Sequence, residues 1–437
     1  MNQCQEPGEG QEFVTEIVCQ EDDLKDGQMK EVTVGDQKVL LVRIEGQYSA
    51  VGSQCSHYNA PLVKGALVGD RVRCPFHGAC FNVRNGDIEE FPGLDSLPSY
   101  KVKESLKLTR RVKAMCSIVP DVKHTILLIG GGPASLVCAE TLRQNCYQGR
   151  IIIITKDNMP PFDKPKLSKA MNVDPDSILL RSSDFYQQHG IEVWTQKEVV
   201  SVNPANKAVK LSNGTLQCYD QLLISTGCRA RPLNCPGADL KGVKLLQSFE
   251  DAKEIHSSCL GHKVKGVRLK SGAVLEADVV IAGIGDFSSF YLFTQFMRTN
   301  IPDIFSAGDV TSFPLTIRGD QRVNIGHWQM SQAQGRVAAL NMVKKPTQIE
   351  SVPFFWTVLL GKSIRYTGYG EGYTEIIFKG KVEERTFLAL YIKDEVVVAA
   401  ASLMFDPAVA RIAEMMAAGQ IITKAQTQSD DLKWLQM

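Results

Sequence analysis

The sequence predicts a multidomain chain: an all-β N-terminal domain, then an α/β domain, then an α+β C-terminal domain. Three observations carry that prediction. Residues 12–110 are short alternating runs (38–44, 67–73, 79–83, 100–108) broken by Gly, Pro and Asn, the texture of strands and tight turns. From His124 the pattern becomes strand, Gly-rich turn, helix, strand, the order of a parallel α/β unit. Residues 350–437 hold strand-like runs at 376–378, 387–392 and 396–401, then a helix over about 407–418. Residues 111–123 read as a linker.

Bulk properties narrow the function classes. The 437 residues suggest two to four domains. A hydrophobic fraction of 44% and a charged fraction of 22% are ordinary for a soluble globular protein. The 49 basic and 48 acidic side chains leave a net charge of +1, which gives no electrostatic footprint for nucleic acid. The longest apolar runs, 151–154 and 396–401, are of strand size and far from the roughly 18 residues of a membrane span. Residues 1–26 are acidic and have neither a signal core nor an Arg-rich presequence pattern. The 12 cysteines lack a disulfide rhythm and read mostly as reduced thiols.

Two short loops carry the sharpest chemistry. Cys55-Ser-His57 is followed, after sixteen residues, by Cys74-Pro-Phe-His77-Gly. Each loop offers one thiolate and one imidazole. A [2Fe–2S] centre with two Cys on one iron and two His on the other needs that arrangement. Structural zinc also accepts two Cys and two His, but zinc fingers pair like with like along the chain. The motif closely resembles the Rieske family over residues 12–108. In the family's cytochrome-complex subgroup a disulfide joins the loops. Ala60 and Phe76 stand at those positions here, which implies the ferredoxin-like subgroup and the lower part of the potential range of about −150 to +300 mV. Cys80 is out of register for that bond and reads as a small buried hydrophobe. The resemblance also implies that Phe91-Pro92-Gly93 covers the cluster.

The α/β domain opens on a dinucleotide fingerprint. A strand at 126–129 runs into Gly130-Gly131-Gly132-Pro133-Ala134-Ser135, a helix, and a strand at 151–154 with Asp157 after it. Gly130 makes the turn, Gly132 admits the pyrophosphate, and Ser135 replaces the third glycine. Asp157 is the candidate ribose acceptor. Later motifs, Thr226-Gly227 and Ile304-Phe305-Ser306-Ala307-Gly308-Asp309, resemble the further FAD contacts of the pyridine nucleotide–disulfide and ferredoxin reductase superfamily. That resemblance implies that Asp309 binds the ribityl chain. It places 161–169 beside the isoalloxazine, with Lys169 near N5 as the catalytic cation, since positive charge there stabilises reduced flavin. Lys164 and Arg229 are candidate phosphate or ring contacts. Trp328, and the pair Phe355 and Trp356, stand where the superfamily brings aromatics to the ring. Core packing is an equal alternative for each aromatic.

Taken together, the chain resembles the Rieske-bearing branch of the apoptosis-inducing factor family. The domains expected are a Rieske domain (12–110), a first FAD part (124–245), a remnant of the NAD-binding domain (246–298), a second FAD part (299–348) and a reductase C-terminal domain (350–437). The remnant is the anomaly. Only about 70 residues separate Gly237 from Gly308, too few for a nucleotide domain with its return strands. Gly261 and Gly266 lack the strand and helix of a fingerprint, 266–285 looks like closing strands, and an aromatic-rich stretch at 287–293 replaces a longer segment. Two clean losses between intact flanks read as a splice form or incomplete gene reading, with a compact natural variant as the alternative. The cofactors expected are the cluster and FAD, with the NAD(P)H donor site absent. The resemblance implies electron transfer to an unidentified acceptor, a homodimer, and a mitochondrial, pro-apoptotic role. A cytoplasmic setting and a non-catalytic redox-sensing or interaction role are the alternatives.

Overall fold

Alternation in the N-terminal region yields two small antiparallel sheets. The structure is a computed structural model, and it describes residues 16–19, 23–100, 111–258, 266–277, 279–287, 291–292, 294–429 and 431–435. Strands β1 (Gln28–Val34), β2 (Gln37–Ile44) and β3 (Gln47–Gly52) form consecutive hairpins. The β2–β3 turn has Glu45 and Gly46 both at positive φ, as a two-residue hairpin turn that follows strand twist requires. The second sheet is a meander of β4 (Ala66–Val68), β5 (Arg71–Arg73), β6 (Cys80–Asn82) and β7 (Ile88–Glu90). The run 67–73 expected as one strand is therefore two, because Gly69 (φ 56°) and Asp70 turn the chain. The run 100–108 survives only as β8 (Ser99–Tyr100), and residues 101–110 lie outside the described residues. Leu40, Val42, Val51, Val72, Phe81 and Leu97 form one core, and Cys55 and Cys74 are part of it.

The α/β region builds a five-stranded parallel sheet. Its order is β11 (Ile191–Trp194), β10 (Arg150–Ile154), β9 (Thr125–Ile129), β12 (Gln221–Ile224) and β13 (Ile304–Ser306). Pairing sets Ile154 opposite Ile129, Ile129 opposite Ile224, and Ile224 opposite Ser306. Four strands thus end level, and the motifs after them share one edge. A small sheet of Val199–Asn203, Ala208–Leu211 and Leu216–Cys218 contributes Val209 and Leu211 to the core over the sheet. Helix α1 (Pro133–Gln144) packs against α2 (Trp328–Met342). Gly335 permits that crossing, since a Cβ there would lie 2.2 Å from the Ala134 carbonyl oxygen.

Between the FAD parts the structure is sparse. Val243–Lys244 pairs in parallel with Val280–Ile281, and Val267–Arg268 pairs with Val274–Leu275. One helix, Phe249–Ser258, is described. Residues 259–265 and 288–290 lie outside the described residues, so the stretch beginning at Gly261 and most of the aromatic-rich stretch do too.

The C-terminal region forms an antiparallel sheet of β14 (Phe354–Leu359), β15 (Lys362–Gly368), β16 (Glu375–Lys381), β17 (Thr386–Lys393) and β18 (Val396–Leu403), ordered β14-β15-β18-β17-β16. The expected helix is α3 (Ala408–Ala417), whose Ile412 and Ala413 join Phe354, Leu388, Leu390 and Ala66 of β4 in one core. That shared core makes the two all-β sheets and the C-terminal region one unit, together with Leu315–Gln321. Met115–Pro314 and Arg322–Ile349 make the second unit. Among the described residues no helix is long and apolar enough to cross a membrane. Gly335→Val should drive α1 and α2 apart and cost about 1–3 kcal/mol, as overpacking does. Urea unfolding of the second unit checks this, and an unchanged midpoint would contradict the close crossing.

Candidate functional site

Both motif loops of the first unit close in the same way. Cys55 donates its N–H to the Ala60 carbonyl (2.9 Å) and accepts from Asn59 (2.9 Å). Cys74 donates to the Ala79 carbonyl (2.8 Å) and accepts from Gly78 (3.1 Å). Gly78 has φ 77°, and a Cβ there would strike the Phe354 ring at 2.5 Å. The loops bring the four motif side chains together as two pairs. His57 Nδ1 and His77 Nδ1 are 3.2 Å apart. The buried Cys55 and Cys74 are both free thiols, and they share a hydrogen bond.

Those pairs fit two metal ions better than one. Two imidazole nitrogens bound at about 2.0–2.1 Å to a tetrahedral metal stand about 3.3–3.4 Å apart. The observed 3.2 Å is close to that separation. Among the described residues no three His, Cys, Asp or Glu side chains converge on a single ion, as a zinc site would require. The imidazole end is already neutral as ligation requires, whereas Cys55 would have to give up its proton on binding metal. Burial first, then the charges of His57 and Arg365, push His77 down to about 2, so its ring stays neutral. The Cys74 hydrogen bond, burial and Cys74 charge raise Cys55. Burial opposes ionisation of Cys74, but the Cys55 thiol and the His77 and Phe76 backbone favour its thiolate. The proline loop reaches the first ligand loop as expected: a Cβ on Gly93 would lie 3.9 Å from His57 Cβ, and Ser56 donates to the Asp95 carbonyl (2.6 Å). Cys80 is buried, and burial pushes its thiol up to about 12.

Three residues near the cluster site were not read from the sequence as belonging to it. Arg73, fully buried, donates to the Gly78 carbonyl (2.9 Å), pairs with Glu90 (2.9 Å) and pairs with Glu414 of α3. Arg365 of β15 donates to the Pro75 carbonyl (3.1 Å). Trp356, for which a flavin contact and core packing were the two expectations, makes ring contacts with His77 (5.2 Å) and His57 (6.0 Å).

In the second unit, the level strand ends gather the dinucleotide motifs. Gly130 (φ 122°) tolerates no side chain, because a Cβ would lie 2.2 Å from the Ser225 carbonyl oxygen. At Gly132 a Cβ would meet nothing within 4 Å, which leaves the open approach a pyrophosphate needs. No side chain caps α1, so its first N–H groups remain for an anion. Ser135 faces the sheet and shares a hydrogen bond with Ser225 (2.6 Å). Asp157 is held by Lys164 (3.5 Å), which joins two candidate contacts in one ion pair. Asp309 accepts from Ser331 (3.1 Å) and from the Cys228 thiol (3.4 Å), tying it to the Thr226-Gly227 turn. Gln334 accepts the Gly308 N–H (2.7 Å). Ser331 and Gln334 escaped the sequence reading, although polar residues on a buried face of α2 were a usable signal. Trp328 begins α2, Arg229 lies on the short strand Arg229–Ala230, and Lys169 is exposed at the end of the turn Lys164–Ser168. These arrangements fit FAD: a glycine cradle, an uncapped helix start and a fixed carboxylate on one sheet edge.

Comparisons with known proteins match this division. Residues 15–101 match the Rieske [2Fe-2S] domain, 124–264 the pyridine nucleotide-disulphide oxidoreductase family, and 354–435 the reductase C-terminal family. Apoptosis-inducing factor 3 of Mus musculus is 36% identical over 536 residues, covering 97% of this chain and 89% of that protein, and the Homo sapiens protein matches equally. The biphenyl dioxygenase system ferredoxin–NAD(+) reductase component of Paraburkholderia xenovorans (strain LB400) is 24% identical, covering 59% of this chain and 84% of that protein. Among solved structures, the covalent putidaredoxin reductase–putidaredoxin complex aligns with TM-score 0.67 at 21% identity, over 72% of this chain and 98% of that one, and so supports the fold.

Purified protein should contain about two irons and two sulfides per chain and no stoichiometric zinc. Cys74→Ser should lose both while FAD stays bound. Zinc in place of iron would contradict the assignment.

Proposed function

The chain belongs to the Rieske-bearing apoptosis-inducing factor 3 family, and on that premise we propose that it moves electrons between FAD and its cluster without an effective NAD(P)H donor site. Its place among electron-transferring, flavin-dependent pyridine nucleotide oxidoreductases follows from the family matches. The shortened donor domain is our own reading.

One observation carries that reading. The alignment with the mouse relative spans 536 positions and this chain has 437 residues, so at least 99 aligned positions have no counterpart here. The short interval between Gly237 and Gly308 is where the sequence lacks chain. Apart from Ile304–Ser306 of the parallel sheet, its described strands are only two residues long, against four or five in most strands of that sheet. Leu240, Leu269, Val274, Leu275, Ile281 and Ile284 are 42–58% exposed there, as side chains are when their covering layer is missing.

The remaining parts retain their roles. When bound, FAD would take up two electrons and release them singly, and the cluster would carry one at a time. Gly130, Gly132 and the start of α1 receive the pyrophosphate, and Asp157, with Lys164, the ribose. Thr226, Gly227, Gly308 and Asp309 line the remaining cofactor, with Arg229 and Trp328 as peripheral contacts. Lys169 supplies the cation favouring reduced flavin. At the cluster, Cys55 and Cys74 hold one iron and His57 and His77 the other. Tyr58 and Phe76, 45% and 36% exposed, give a one-electron partner an aromatic approach to the imidazoles. Kinship with proteins named apoptosis-inducing factor 3 supports a mitochondrial setting and a role in cell death. The exposed apolar remnant favours, as second reading, an interaction role in which the cofactors sense redox state.

Stopped-flow mixing with NADH or NADPH should bleach the flavin band at least about 100-fold more slowly than a full-length relative, a loss equivalent to about 2.7 kcal/mol. Dithionite should bleach it fully. Rapid stoichiometric bleaching by NADH would overturn the proposal.

A further inference from the structure

The second ligand loop runs from Cys74 to Gly78 and has two carbonyls held by guanidinium groups. Arg73 donates to the Gly78 carbonyl (2.9 Å), next to ligand His77. Arg365 donates to the Pro75 carbonyl (3.1 Å), next to ligand Cys74, and lies over the Phe76 ring at 5.8 Å. Both arginines are essentially without water, at 0% and 2% exposure.

Both also lead into the C-terminal domain. Arg365 is itself part of β15, and its other N–H groups donate to the Thr357 and Ile364 carbonyls. Arg73 pairs with Glu414, which is 2% exposed on α3 and is also 3.8 Å from the Cys80 thiol. Asp406 lies 3.8 Å from Arg365 and is partly exposed, so it neutralises that charge incompletely. Glu90 pairs with Arg73 independently at 2.9 Å.

Charge this close and this dry acts on electron affinity. Reduction adds one negative charge to the cluster. A positive group nearby favours that state and a negative group opposes it, and hydrogen bonding and net charge near an iron–sulfur centre set its potential. We propose that Arg365 and Glu414 are positioning residues of the cluster site, fixing its second loop through Pro75 and Arg73 and tuning the reduction potential with opposite signs. The C-terminal domain is then part of the redox centre. This rests on the assignment of the cluster to Cys55, His57, Cys74 and His77.

Potentiometric titration of the whole protein, read by the electron paramagnetic resonance of the reduced cluster, tests the inference. R365Q should lower the equilibrium constant for reduction about tenfold, which is about 59 mV for one electron. R365K should restore most of that loss. E414Q should raise the constant by several-fold, and because Arg73 keeps Glu90 and Gly78, it carries the test if R365Q loses iron. Opposite shifts with a moved g-tensor in R365Q support the inference. An E414Q potential that is unchanged or lowered overturns it, whatever R365Q does. If reduced wild-type protein shows no [2Fe–2S] signal, the cluster assignment falls and the inference with it.

Discussion

A guanidinium shut away from water must have partners, and Arg73 constrains the cluster half of this protein through that requirement. Its partners come from three places: the loop after His77, strand β7 and helix α3. Removing one member of such a buried set costs about 3–5 kcal/mol, so the three elements hold their relative places together. Cys74 follows Arg73 directly in the chain, and Gly78 follows His77. Two of the proposed ligands are therefore fixed by the packing of one side chain. The proline loop then seats the first ligand loop against its partner, with Ser56 bonded to Asp95.

The flavin half depends on a different constraint, the register of its parallel sheet. Level ends at Ile129, Ile154, Ile224 and Ser306 put motifs separated by about 180 residues on one edge. Glycine at 130 and 335 lets the backbones approach where a Cβ would collide. Nothing in that construction uses residues 243–244 and 280–281, which pair in a separate two-stranded sheet. The donor-site loss proposed above is therefore compatible with a flavin site in the same chain.

Much of this was legible in the sequence because the informative residues are local. Ligand loops, the glycine turn and the late Gly308-Asp309 each occupy a few adjacent positions and need particular residue types. What escaped depends on distance or on context. Arg73 and Glu414 are 341 positions apart, and only a charged residue on the buried face of an apolar helix hinted at the pair. Residues 354–368 form two strands without clean alternation, since Phe354 is buried while Phe355, Trp356 and Thr357 are only partly so. Trp356 could be linked to an aromatic role but not to the imidazoles, because that contact arises from the packing of β14 on the ligand loops. Ser135 was legible as the replacement for the third glycine, but its hydroxyl bond to Ser225, 90 positions away, was not.

We propose that one chain holds both a flavin and a Rieske cluster in working order, despite the shortened interval inside its flavin domain. An anaerobic dithionite titration of the purified protein, followed at the flavin and cluster absorption bands, tests it most directly. Uptake of about three electrons per chain is expected, two at the flavin and one at the cluster. Uptake of a single electron, with no flavin bleaching, would contradict it.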